Sequence, residues 1–100
     1  MVAFADKLPV IASACRENDV KRLDLFGSRA RQDETASSDA DFVVEFNDPL
    51  RPGVFDRFLD LQTRLEEILG CSVDLVEESS IVNPILRRRI DECRTPVFGV

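Results

Sequence analysis

Apolar residues recur along the chain with two different periods. Leu8, Ile11, Ala12 and Cys15 fall at i, i+3, i+4 and i+7, the stripe of an amphipathic helix, with Asp6 as its expected cap and Pro9 in the first turn. Residues 21–26 instead alternate, placing Leu23 and Leu25 on one face of a short strand that Gly27-Ser28 ends. Residues 29–38 are polar and read as a turn or one helical turn plus loop. A second strand follows over 41–46 and stops at Asn47-Asp48-Pro49; Pro52 and Gly53 continue a surface loop. Phe55, Phe58, Leu61, Leu65, Ile68 and Leu69 return to helical spacing, with Phe55 through Leu65 expected in the core and Gly70 closing the helix. A third strand is predicted over 72–76. Asn83-Pro84, an N-cap followed by proline at the first helical position, opens a last helix carrying Leu86, Ile90 and Cys93. Residues 96–98 suit a short edge strand, where proline is admissible.

The order α-β-β-α-β-α-(β) predicts an α/β two-layer sandwich, a small mixed sheet with helices packed on one face. Residues 1–100, 44% hydrophobic, fit one domain with a modest core and little room for a separate acceptor-binding domain. No apolar run is long enough to span a bilayer and no signal-peptide pattern opens the chain, so a cytoplasmic protein without membrane contact is expected. Cys15, Cys71 and Cys93 are widely spaced and the chain has no histidine, which argues against structural zinc and for free thiols in a reducing compartment.

Thirteen basic against nineteen acidic residues give a net charge of −6. Phosphate contacts dominate nucleic-acid affinity, so direct nucleic-acid binding is not expected. A nucleotide arriving with Mg²⁺ is less affected, because the metal offsets much of its charge.

Three aspartates change the picture. Asp39 and Asp41 stand two apart where the second strand begins, hence on one face, and Asp74 lies between Val73 and Leu75 in the third strand. A carboxylate in a short apolar strand costs desolvation unless something compensates it. If the second and third strands are neighbours, the three converge. Two such charges about 4 Å apart repel by roughly 4 kcal/mol at an effective dielectric near 20. A hard divalent cation relieves that repulsion, and Mg²⁺ with carboxylates and substrate phosphates is the natural occupant.

Upstream, Phe26-Gly27-Ser28-Arg29-Ala30-Arg31 offers the complementary chemistry. Glycine at a strand end admits close ligand approach, and Ser28 presents a hydroxyl and an N–H to a phosphate oxygen. Arg29 and Arg31 add guanidinium forks suited to phosphate, although surface arginines need no function to explain them. Gly-Ser alone, or Asp-x-Asp alone, carries little information. The series of strand, Gly-Ser, Asp-x-Asp opening a strand, then Asp within a later strand is far more specific.

Those stretches, Leu25 to Arg31, Ser38-Asp39-Ala40-Asp41 and Val73-Asp74-Leu75-Val76, resemble the minimal nucleotidyltransferase family of the DNA polymerase β-like superfamily, over roughly Leu8 to Phe98. The resemblance implies that Asp39 and Asp41 bind two Mg²⁺ ions. It implies too that Asp74 shares a metal and helps activate the acceptor hydroxyl, and that Gly27 and Ser28 hold the triphosphate of an ATP substrate. One departure is Gln32, where the family has glycine after the Arg-Ala-Arg run; it removes no metal ligand. Many members are antitoxins encoded beside a HEPN-type ribonuclease toxin, and some transfer AMP to a toxin tyrosine. The expected function is therefore Mg²⁺-dependent AMP transfer to a hydroxyl of a partner HEPN toxin.

Two other readings belong to different classes. A binding-only antitoxin would silence its toxin by occlusion but would need no three converging acids. A transferase acting on a small hydroxylated molecule would need an acceptor domain or an oligomer. Homo- or hetero-oligomers fit either course. Arg87-Arg88-Arg89 reads as a solvated helix face, with docking to an acidic partner as its alternative.

Overall fold

The computed structural model describes residues 5–26, 40–48, 50 and 52–99. A 3₁₀ turn, Ala5–Lys7, leads into α1, Leu8–Glu17. Then come β1 (Val20–Leu25), β2 (Ala40–Phe46), α2 (Val54–Leu69) and β3 (Val73–Glu77). A second 3₁₀ turn, Glu78–Ser80, precedes α3 (Pro84–Cys93) and β4 (Thr95–Phe98). Strand order is β3-β2-β1-β4, so β2 and β1 are central and β4 occupies an edge, as its proline requires. β1 runs antiparallel to β2 and to β4. β2 and β3 are parallel, the arrangement that a sixteen-residue crossover helix between them permits.

Alternation along the strands sorts the sheet into two faces. Leu23, Ala40, Phe42, Val44, Phe46, Val73 and Leu75 point to one side and bury against Ile11, Ala14 and Cys15 of α1 and Leu61 and Leu65 of α2. On the opposite side Phe26 and Val43 meet Ile81 and Ile90, a smaller cluster through which α3 touches the sheet. The mixed-sheet α/β architecture expected from the pattern is thus observed, with a correction to its packing: the helices do not all lie on one face, since α1 and α2 form the helical layer while α3 rests on the other face through Ile90.

The helix termini follow local chemistry, with one correction. The Asn83 carboxamide oxygen accepts from the N–H groups of Ile85 at 2.9 Å and Leu86 at 3.3 Å, the expected cap ahead of Pro84. Gly70 takes φ of 69° and its N–H donates to the Glu66 carbonyl at 2.8 Å, closing α2. Asp6 does not cap α1. Lys7 takes that position without a side-chain bond, because the 3₁₀ turn displaces Asp6 from the helix entrance. At the other end Asn18, buried, donates to the Ala14 carbonyl at 3.1 Å and to the Asp60 carboxylate at 2.8 Å, tying α1 to α2. Phe55 is also corrected: it is 68% exposed, since it stands at the start of α2, outside the stripe that Leu61 and Leu65 bury. Among the described residues no helix is long and apolar enough to cross a membrane.

Candidate functional site

Asp41 and Asp74 occupy the second positions of β2 and β3 and are partners in the parallel register. Ala40 and Phe42 flank Asp41, Val73 and Leu75 flank Asp74, and all four point into the α1–α2 core. Both carboxylates therefore project from the opposite face, on strands about 4.8 Å apart. Asp41 is fully buried and Asp74 half-buried. The end of β1 is fastened beside them, because the Phe26 N–H donates to the Asp41 carbonyl at 3.0 Å.

Gly27, Ser28, Arg29, Arg31 and Asp39 lie outside the described residues, as does Gln32. In sequence Gly27 follows Phe26, and Asp39 precedes Ala40. Among the described residues no group of three Asp, Glu, His or Cys side chains forms a cation site. What they do supply is two hard oxygen-donor groups in register on one face. That donor set suits Mg²⁺, which is held by few protein carboxylates with the rest of its shell left to water and phosphate.

A third carboxylate on this face escaped the sequence reading. Asp24 of β1 lies opposite Val43 and is wholly buried. Its Oδ2 accepts from Arg94 Nε at 2.7 Å and pairs with Arg22 Nε at 2.9 Å, while Oδ1 is buried without a hydrogen-bond partner among the described residues. Arg94, between α3 and β4, also reaches Glu78 at 2.6 Å and Asp91 at 2.8 Å. The Arg94 guanidinium beside Glu78 pushes that carboxyl down to about 2; burial opposes the shift and Arg87 adds to it. Arg94 in turn is raised, first by Glu78, against the cost of burial. The sequence signal was available: Asp24 sits between Leu23 and Leu25 as Asp74 sits between Val73 and Leu75.

The triple-arginine run divides. Arg87 is committed to Glu78 at 2.8 Å and lies 3.8 Å from Asp91, whereas Arg88 and Arg89 are exposed. Cys15 is buried, and desolvation pushes its thiol up to about 12, so it stays protonated and is a poor nucleophile at neutral pH.

Comparison with known proteins adds to this geometry. A family model described as a nucleotidyltransferase domain matches residues 8–97. A relative from Methanocaldococcus jannaschii, provisionally named a protein adenylyltransferase, is 45% identical over 73 residues, covering 73% of this chain and 72% of its own. A solved structure, provisionally described as a minimal nucleotidyltransferase, superposes with a TM-score of 0.69 at 28% identity, covering 93% of this chain and 91% of its own. A complex of a tri-AMPylated HEPN toxin with its MNT antitoxin from Shewanella oneidensis matches in fold at a TM-score of 0.64 and 23% identity, covering 94% of this chain and 71% of that one.

Proposed function

The chain belongs to the nucleotidyltransferase domain family, and from that premise we propose that it transfers AMP from ATP to a hydroxyl of a HEPN-type toxin, acting in the cytoplasm as that toxin's antitoxin. The observation that carries the reading is the register of Asp41 against Asp74, two carboxylates from neighbouring parallel strands on the face opposite α1 and α2. The M. jannaschii relative's name and the AMPylated toxin of the S. oneidensis complex support the choice of AMP and of a protein acceptor.

In this reading Asp39, Asp41 and Asp74 hold two Mg²⁺ ions, Gly27 and Ser28 hold the triphosphate, and Arg29 and Arg31 contact its phosphates. Mg²⁺ bound there would supply charge neutralisation to the reacting phosphates. The chain's own contribution is placement. Asp41 is fixed by full burial in a central strand, and the end of β1 is pinned against it through Phe26. The acceptor oxygen attacks the α-phosphorus, pyrophosphate leaves, and the hydroxyl proton passes to the Asp74 carboxylate.

The test is incubation of the chain with ATP, Mg²⁺ and the HEPN protein encoded beside it, followed by intact-mass spectrometry of both proteins. A mass gain of one AMP or a small multiple is expected on the partner. None is expected on tyrosine of this chain, which has none. Inhibition of the toxin without mass gain would replace the reading with occlusion; label on a small molecule only would replace it with a small-molecule transferase.

A further inference from the structure

β3 is an edge strand: β2 lies on one side, and no strand lies on the other among the described residues. Backbone groups of successive strand residues point alternately to the two sides. The Ser72 carbonyl accepts from the Ala40 N–H at 3.2 Å and so points inward, toward β2. Val73 therefore turns its N–H and C=O outward, to the unpaired edge. Both are taken up by α2. Gln62 Nε2 donates to the Val73 carbonyl at 3.0 Å, and the Val73 N–H donates to Glu66 Oε2 at 3.2 Å.

Gln62 and Glu66 are one helical turn apart, each next to a fully buried leucine, Leu61 or Leu65. The clamp is thus mounted on the best-anchored stripe of α2. The Val73 carbonyl belongs to the peptide that leads directly into Asp74. Holding that peptide plane from the helix side, while Asp74 pairs with Asp41 on the other, fixes the carboxylate's origin without touching it.

We propose that Gln62 and Glu66 are positioning residues for Asp74, setting the outer carboxylate of the site against the inner one. This rests on Asp74 acting in the transfer. A plain edge-protecting role would alter stability; a positioning role alters turnover at constant substrate affinity.

The experiment measures transfer from α-labelled ATP with Mg²⁺ onto the HEPN protein encoded beside this chain. Gln62→Glu replaces the donor with an acceptor of the same shape, and Glu66→Leu removes the acceptor. Each is expected to lower kcat about tenfold or more, with the KM for ATP little changed. Glu66→Gln keeps an acceptor oxygen and should restore both kcat and slow hydrogen exchange at the Val73 amide. If Gln62→Glu does not fold, Gln62→Met, which sets no charge against the carbonyl, serves in its place. Wild-type kcat in the folded clamp variants, with Asp74→Asn inactive, overturns the clamp alone. Full activity of Asp74→Asn, or no transfer by the unaltered chain, overturns the functional reading and the clamp together.

Discussion

Replacing Arg94 with methionine should be among the most damaging single changes to this fold outside the apolar core. Methionine keeps an unbranched apolar stem but no guanidinium, so the loss is chiefly that of the charge and its hydrogen bonds. Arg94 Nε leaves Asp24, which is wholly buried, and the other guanidinium nitrogens leave Glu78 and Asp91. Removing one partner of a buried ion pair costs about 3–5 kcal/mol, because the survivor remains charged in a dry site. Here Asp24 keeps Arg22 at 2.9 Å, a half-exposed side chain able to follow it, which brings the expected loss to about 2–3 kcal/mol. For a chain of this size that is a Tm lower by about 10–20 °C. Urea unfolding followed by circular dichroism measures it. In a double-mutant cycle with Asp24→Asn, the two changes together should cost about 1–2 kcal/mol less than their sum, since the neutral amide no longer needs the cation. A loss below about 0.5 kcal/mol, with additive effects, would refute the view that one buried charge network fastens α3 and β4 to the sheet.

The same network predicts acid behaviour. Glu78 is held at about 2 when folded against 4.5 unperturbed, so its contribution is complete above pH 4.5 and disappears as pH falls through 2. A shift of that size sets a ceiling of about 3 kcal/mol, and a side chain 22% exposed should deliver about 2 after screening. Unfolding titrations between pH 6 and pH 2 should therefore be flatter for Glu78→Gln than for the unaltered chain; identical curves would count against the pairing. At the carboxylate pair, Asp41→Asn should remain folded but lose most of the thermal stabilisation conferred by ATP with Mg²⁺. An undiminished shift by differential scanning fluorimetry would remove Asp41 from the ligand set.

Most of the fold was legible because periodicity reports which face of an element is buried. The alternation around Leu23 and Leu25 and the helical spacing of Leu61 and Leu65 correspond to the observed core. Periodicity does not report how far the neighbouring layer extends, which is why Phe55 was misplaced: it lies on the right helix but stands exposed at its first turn. The convergence of Asp41 and Asp74 followed from their strand positions once β2 and β3 were taken as neighbours. Asp24 was visible as a carboxylate between two apolar residues, but its pairing was not. Its partner Arg94 is seventy residues away, and no local pattern announces a pair made across that distance. Arg87-Arg88-Arg89 misled as a block, since consecutive helical residues point about 100° apart and only Arg87 faces Glu78.

Strand parity has a consequence for how this chain can change over generations. Turns such as the one at Gly70 can lengthen or shorten with little effect, whereas an odd insertion inside Val73–Glu77 would reverse every side chain beyond it. Placed before Asp74, such an insertion would drive the carboxylate against Leu61 and Leu65 and turn an apolar residue outward. Selection that merely keeps the core dry therefore also preserves the orientation of the acids, and a lineage could retain the site's geometry long after its acceptor had changed.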